Sequence, residues 1–117
     1  MSFLSKTDLK HLSRSLLFVP GDRPERFEKA ANSGAHEVVI DLEDAVAPGV
    51  KAEARDAALA WLKQGNFAMV RINAADTAWF DDDLNMLEAF PSATVMLAKA
   101  DADSLLRVAN RLPNHSI

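Results

Sequence analysis

The chain has 117 residues, 49% of them hydrophobic and 26% charged, which is typical of a single globular domain with one core. Its net charge of −4 argues against a broad surface for nucleic acid or anionic lipid, because such a surface needs an excess of Lys and Arg. The absence of cysteine excludes disulfides, thiolate nucleophiles and Cys-based zinc sites.

Residues 1–13 are predicted to be a polar leader, and residues 14–117 to form the domain. The leader lacks the continuous apolar core of a secretory signal. No apolar run in the chain approaches the roughly 18 residues of a membrane span. We therefore expect a cytoplasmic location and no membrane partner.

Two strand–helix units are predicted in the first half of the domain. A strand over residues 15–20 is followed by a Pro- and Gly-containing loop and a helix from about residue 25 to 33. A second strand surrounds Val38–Ile40, whose β-branched run is typical of a strand buried on both faces. After Pro48 and Gly49, the period of the apolar residues predicts a helix over residues 51–63.

The second half repeats this order. A third strand is predicted over residues 67–73, and Asp76 or Thr77 is expected to cap a helix that ends near residue 89. A fourth strand is predicted over residues 92–99 and a last helix over residues 103–111.

The resulting β-α alternation predicts an α/β fold with parallel strands and right-handed crossovers. Two architectures remain open: part of a (β/α)₈ TIM barrel, with about four βα units, or a small open doubly wound sheet. A complete barrel needs about 250 residues, more than twice this length. In both architectures the site forms at the carboxyl ends of the strands.

Three carboxylates, those of Asp41, Glu43 and Asp44, lie at and just beyond the end of the second strand. Repulsion between them would raise their pKa values unless a cation, a basic side chain or water accommodates the charge. One interpretation is a solvated strand end with one acid capping a helix. The other is a binding site, in which Asp41 could instead be buried against a basic neighbour.

Polar residues also end the next two strands. Arg71 closes the third strand beside Asn73 and is interpreted either as a substrate-binding residue or as one partner of a surface salt bridge. Lys99 follows the fourth strand and is either substrate-binding or a solvent-facing strand end. The run Asp81–Asp83 is predicted to be a solvated helix face favoured by the helix dipole.

The remaining conspicuous residues are interpreted as structural. Pro20-Gly21 is taken as a strand-to-helix turn, since the chain has neither a Walker motif nor Gly-x-Gly-x-x-Gly. The histidines lie outside the predicted strand ends, and the tryptophans have helical core spacing. The residues concerned are His11, His36, His115, Trp61 and Trp79.

Four segments, in this order and spacing, resemble the HpcH/HpaI aldolase/citrate lyase family, which includes citrate lyase β subunits and malyl-CoA lyases. They are Arg14–Gly21, Asp41–Val46, Lys51–Arg55 and Val70–Asn73. The fourth strand departs from the family pattern, because Ala98 and Asp101 stand where members usually carry a proline and a glutamate.

The resemblance implies a TIM-barrel lyase that uses Mg²⁺ to cleave or form a carbon–carbon bond between a CoA thioester and a keto acid. In that role Arg71 would hold the keto-acid carboxylate, and Glu43 and Asp44 would contact the waters of the metal. Arg14 and Lys29 would lie toward the CoA phosphates.

In the family the direct metal ligands, a glutamate and an aspartate, come from strands five and six. The resemblance therefore covers only the N-terminal half of such a lyase, with no direct ligand, and we expect these 117 residues not to catalyse alone. A second hypothesis is a non-catalytic half-barrel interaction module. Either reading predicts a homo-oligomer or another partner chain, because half a barrel leaves unpaired edge strands.

Overall fold

The computed structural model describes residues 15–117, in which four strands alternate with four α-helices. The predicted leader at residues 1–13 and the predicted substrate-binding residue Arg14 lie outside the described residues. Within the described part, none of the helices is both long and apolar enough to cross a membrane.

The four strands form one parallel sheet in which each strand pairs with the next along the chain. Sequential order is that of a (β/α)₈ barrel, whereas a doubly wound sheet reverses its strand order at a switch point. The alternative left open by the sequence is thereby resolved in favour of part of a barrel. The strands are β1 (Leu16–Pro20), β2 (Glu37–Asp41), β3 (Met69–Ile72) and β4 (Thr94–Leu97).

The helices follow the strands as predicted; the first and third are shorter than predicted, the second has the predicted bounds, and the fourth begins one residue earlier. They are α1 (Phe27–Ala31), α2 (Lys51–Lys63), α3 (Phe80–Leu87) and α4 (Ala102–Arg111). Short 3₁₀ turns at Pro24–Arg26 and Pro48–Val50 precede α1 and α2. In both turns the proline occupies a first-turn position, where its missing N–H has no helical partner to lose.

The predicted cap of the third helix is wrong. Trp79 precedes α3 and makes no side-chain cap bond. The Thr77 hydroxyl instead donates to the carbonyl of Ala74 at 2.7 Å, which closes a turn after β3. Thr77 therefore stabilises the loop and not the helix.

One face of the sheet carries the core. A row of paired residues across the four strands packs against the helices: Val19, Ile40, Val70 and Val95. The next row belongs to the opposite face, because side chains alternate along a strand. That row is Pro20, Asp41, Arg71 and Met96. It places an acid and a base side by side on the face turned away from the helices.

The two edges of the sheet differ. No described strand pairs with the outer edge of β1, where Leu16 and Phe18 are 44% and 42% exposed. At the other edge, Ser116 forms a parallel bridge with Thr94, and its carbonyl accepts the N–H of Val95 at 2.8 Å. The apolar edge at β1 is thus the more exposed of the two.

Candidate functional site at the carboxyl ends of β2 and β3

The Asp41 carboxylate is the centre of the site. Asp41 ends β2 and is 1% exposed. Its oxygens accept hydrogen bonds from Arg71 Nε and Nη2 at 2.9 and 2.6 Å, and from the N–H groups of Glu43 and Ala45 at 2.8 and 3.0 Å. A carboxylate has about four acceptor positions, so these bonds fill them. Asp41 is therefore buried against a basic neighbour, the alternative raised for it from the sequence.

The Asp41–Arg71 pair is charged at neutral pH. Burial raises the pKa of Asp41, but the hydrogen bonds from Arg71 and from the two amides outweigh burial and hold this pKa below its ordinary value of 3.8. The hydrogen bond to Asp41 likewise raises the pKa of Arg71, against the effect of burial. The guanidinium is thus a fixed positive charge at the end of β3.

Arg71 is held on two sides and still reaches solvent. Its Cζ lies 4.9 Å from the ring centroid of Phe18, a cation–π contact across the sheet. Its Nε lies 3.9 Å from Oε1 of Glu43, and 25% of its side chain is exposed. A guanidinium has five N–H donors, and Asp41 takes two of them. Among residues 15–117 the other three have no hydrogen-bond partner, so they could pair with a ligand that reaches this edge.

The acidic loop, defined here as residues 42–45, is held from both sides. The N–H of Leu42 donates to the carbonyl of Arg71 at 2.9 Å. The buried Nζ of Lys51 donates to the carbonyls of Leu42 and Glu43 at 3.0 and 2.6 Å. Burial lowers the pKa of Lys51, and the neighbouring carboxylate of Glu43 opposes that effect. The loop backbone is therefore fixed while its acidic side chains remain accessible.

Gly21 brings the β1 loop against this loop. Its N–H donates to the carbonyl of Asp41 at 2.8 Å. A Cβ at this position would lie 2.9 Å from both Ala54 Cβ and Leu42 Cδ2, so only glycine fits the approach. The structure thus gives Pro20-Gly21 a packing role.

Glu43 and Asp44 are the carboxylates that a metal could use. The Glu43 side chain is 21% exposed, and Asp44 is exposed. Mg²⁺ commonly keeps several waters and takes few protein carboxylates, which suits two accessible acids on a fixed loop. Residues 15–117 contain no group of three or more His, Asp or Glu side chains placed to hold a metal. The pair therefore fits contact with a hydrated ion from one side.

The other predicted substrate-binding residues line separate cavities. Lys29 is exposed on α1 and lines a 360 Å³ groove with Arg26 and Phe18, beside the edge strand. Lys99 is exposed, has a φ of 52° and lines a 280 Å³ cavity with Arg107. The ring of Phe18 lines the first groove and also contacts Arg71, so this groove adjoins the Asp41–Arg71 pair.

One residue of the acid run on α3 was misassigned from the sequence. Asp83 is 1% exposed, and its oxygens accept from Arg55 Nε at 3.0 Å and from the backbone N–H and Nδ2 of Asn73 at 3.0 and 2.7 Å. The prediction of a solvated face is therefore wrong for Asp83. A signal was present, since Asp83 lies three residues after Phe80 and four before Leu87, on the apolar face of the helix.

Comparisons with known proteins agree on one family. Residues 14–115 match the sequence model described as HpcH/HpaI aldolase/citrate lyase. A citrate lyase subunit beta-like protein of Mycobacterium tuberculosis is 46% identical over 86 residues, which cover 74% of this chain and 31% of that protein. An L-malyl-CoA/beta-methylmalyl-CoA lyase of Cereibacter sphaeroides is 47% identical over 83 residues, which cover 65% and 26% of the two chains.

A solved structure shares the fold. The crystal structure of CitE from Mycobacterium tuberculosis in complex with magnesium, acetoacetate and coenzyme A superposes with a TM-score of 0.70 at 42% identity. The match covers 82% of this chain and 36% of that one. The chain thus spans about a quarter to a third of the length of these curated relatives.

Proposed function

This chain belongs to the HpcH/HpaI aldolase/citrate lyase family, and we propose that it forms the keto-acid side of a carbon–carbon lyase site. The proposed reaction is the Mg²⁺-dependent cleavage of a citryl-CoA-like or malyl-CoA-like thioester to acetyl-CoA and a keto acid. The observation that carries this proposal is the guanidinium of Arg71, fixed by Asp41 beside Glu43 where two parallel strands end. A lyase among the relatives and the ligands of the CitE structure support the assignment.

In this proposal Arg71 binds and orients the keto acid. Its three remaining N–H donors can pair with a carboxylate through two parallel hydrogen bonds, an arrangement that fixes direction as well as position. Its charge also opposes the negative charge that develops on substrate oxygens as the bond breaks. Asp41 keeps the guanidinium in place, so little motion is lost when the keto acid binds.

Glu43 and Asp44 would hold the waters of Mg²⁺. When bound, the ion supplies a Lewis acid that polarises the keto oxygen. The resemblance assigns the direct ligands to later strands, and the chain spans about a quarter to a third of the length of its relatives. We therefore propose that these 117 residues do not complete the reaction by themselves.

The CoA side of the substrate is assigned to basic residues. Lys29 shares its groove with Arg26 and apolar side chains, a combination suited to an anionic group joined to an apolar chain. Arg14 is proposed for the same phosphates, and Lys99 for a further substrate contact. A cytoplasmic location and the absence of a nucleic-acid partner stay predictions from the composition.

Keto-acid binding tests the role of Arg71 directly. Oxaloacetate is titrated calorimetrically into the 117-residue chain with Mg²⁺ present, and binding is compared in Arg71→Ala, Arg71→Lys and Arg111→Ala. We expect loss of binding in Arg71→Ala, weakened binding in Arg71→Lys, and no change in Arg111→Ala, whose native guanidinium pairs with Glu88 on the surface. Unchanged binding by a folded Arg71→Ala chain would overturn the proposal.

A second candidate is an interaction module without catalysis. The outermost strand β1 exposes Leu16, Leu17 and Phe18, each by a third of its surface or more, and such an edge favours association with a copy of the chain. This function would be favoured if the chain associates and binds neither keto acid, CoA nor Mg²⁺.

A further inference from the structure

We propose that Asp41 is a positioning residue that couples the two halves of the site: one buried carboxylate fixes the Arg71 guanidinium and the acidic loop together. The inference rests on the proposed function, since it assigns to Asp41 the geometry in which keto acid and hydrated metal would be received. Asp41 itself is expected to touch neither ligand.

The coupling follows from how the hydrogen bonds are shared. Oδ1 accepts both Arg71 Nε at 2.9 Å and the N–H of Glu43 at 2.8 Å. Oδ2 accepts both Arg71 Nη2 at 2.6 Å and the N–H of Ala45 at 3.0 Å. Each oxygen therefore joins one guanidinium nitrogen to one loop amide. The loop cannot shift relative to Arg71 without stretching a bond on the same oxygen.

Asp41 is too buried, and its oxygens are too fully hydrogen-bonded, for it to contact a ligand directly. Asp41 is 1% exposed, and its acceptor positions are filled by the protein. A ligand could reach the carboxylate only by displacing one of these bonds, at the cost of leaving a buried donor unpaired. The accessible groups are the remaining donors of Arg71 and the side chains of Glu43 and Asp44.

Asparagine is an informative replacement because it keeps the shape of the side chain and loses half of its acceptors. Its single oxygen can serve one guanidinium–amide pair, while its NH₂ group faces the other two donors. The charge that attracts Arg71 is removed as well. Asp41→Asn should therefore loosen both attached elements at once, although neither Arg71 nor the loop has been altered.

Hydrogen exchange followed by NMR measures both elements in one sample. The three signals are Arg71 Nε–H and the backbone N–H groups of Glu43 and Ala45. In Asp41→Asn the pair left on the single oxygen loses the charge and the second pair that held it in place. We therefore expect all three to exchange about tenfold faster or more, while the amides of Ile40 and Val70 in the core strands keep their rates. Asp82→Asn, at a side chain 63% exposed, is the matched control and should change none of them. Faster exchange at only one of the two elements would overturn the coupling.

Arg71→Lys provides a test that does not alter Asp41. Lysine cannot bridge both carboxylate oxygens, so the coupling predicts faster exchange at the Glu43 and Ala45 amides as well. Unchanged loop amides in this variant would contradict the proposal even if Asp41→Asn fails to fold.

Binding separates this inference from the function on which it rests. If the unaltered chain binds oxaloacetate, Asp41→Asn should weaken that binding about tenfold or more. Equal binding would overturn the positioning role and leave the proposed function standing. If the unaltered chain does not bind oxaloacetate, the proposed function fails, and the exchange rates alone decide whether Asp41 holds both elements.

Discussion

At the scale of single residues, the site depends on a buried carboxylate paired with a partly exposed guanidinium. Asp41 and Arg71 stand opposite each other in the register of β2 and β3, so the pairing of the strands brings them together. Removing one partner of a buried ion pair typically costs about 3–5 kcal/mol, because the other charge remains without compensation. The partial exposure of Arg71 places this pair at or below the lower end of that range.

The free energy of unfolding should fall in acid because the Asp41 carboxylate becomes protonated. Burial raises the pKa of this carboxyl, but hydrogen bonds from Arg71 and two amides hold the folded pKa below 3.8. Its contribution is therefore complete above pH 3.8 and is lost as the pH falls through the lower, folded pKa. Urea unfolding of the native chain and of Asp41→Asn should give free energies that differ at neutral pH and converge below pH 3.8. A difference that persists in strong acid would contradict this assignment.

Gly21→Ala should destabilise the protein because the new methyl group has no space. Its Cβ would lie 2.9 Å from Ala54 Cβ and Leu42 Cδ2, and 3.1 Å from the carbonyl of Asp41. Overpacking of this kind costs about 1–3 kcal/mol in the free energy of unfolding, measured with urea.

Gly49→Ala is the control for this substitution, since a Cβ there meets no atom within 4 Å and the φ of Gly49 is not positive. Alanine at such a site is expected to change stability by less than about 1 kcal/mol, in the stabilising direction. Equal losses at the two positions would show that the close approach at Gly21 is not the cause.

How much of the site the sequence reveals depends on whether the pairing of parallel strands alone brings the residues together. Acids and a base at the ends of adjacent strands could be predicted to meet, because parallel strands end at one edge. The role of Lys51 could not be predicted, since a lysine at the start of a helix usually remains in solvent. Here its ammonium instead donates to two carbonyls of the acidic loop. Phe18 was predicted only as part of a strand. Its ring meets Arg71 two strands away, a contact that requires the register.

At the scale of elements, Asp83 joins α3 to α2 and to Asn73, the residue that follows β3. Asp83→Ala would leave the buried donors of Asn73 unpaired and Arg55 without its short ion pair. We expect a loss of about 3 kcal/mol in the free energy of unfolding, measured with urea.

Asp82→Ala is the internal control, because both residues lie in the first turn of α3 and share its dipole. Asp82 is 63% exposed and lies 3.9 Å from Arg55, so its removal should change stability by less than about 0.5 kcal/mol. Comparable losses from both substitutions would assign the effect to the helix dipole and not to the buried network.

The positions of the helices could be predicted from their apolar period, whereas their ends depended on individual hydrogen bonds. The last helix is capped by Asp101, whose side chain accepts from Ser104 N at 2.8 Å, two residues before the predicted start. Asp101 and Ser104 form a reciprocal capping box, a pattern that the sequence displays. The end of α3 at Leu87 carried no comparable signal.

At the scale of the whole molecule, strand order is what the β-α pattern alone left undecided. Both candidate architectures alternate strands and helices with connections of similar length, so periodicity cannot separate them. The family resemblance predicted part of a barrel, and the pairing of each strand with its successor confirms it. That order aligns the ends of β2 and β3 side by side and makes the acid–base row possible.

The exposed edge of β1 predicts self-association. Leu16 is 44% exposed there, and a lysine at an edge strand opposes pairing with another chain. Sedimentation velocity should show oligomers of the native chain that grow with concentration and a monomer for Leu16→Lys. Leu106→Lys, at a 60% exposed position on α4, should behave like the native chain. If Leu106→Lys is a monomer and Leu16→Lys is not, the contact between copies involves α4 and not the edge of β1.

The contact between Lys51 and Trp79 gives the protein an optical reporter. The ammonium lies 5.1 Å from the centroid of the indole ring and also donates to the carbonyls of Leu42 and Glu43. The sequence contains two tryptophans, so Trp61→Phe leaves Trp79 as the single source of indole fluorescence. Binding of an ion to the loop that displaces its carbonyls would change the distance between the Lys51 ammonium and the Trp79 ring. The emission intensity of Trp79 would then report ion binding in real time.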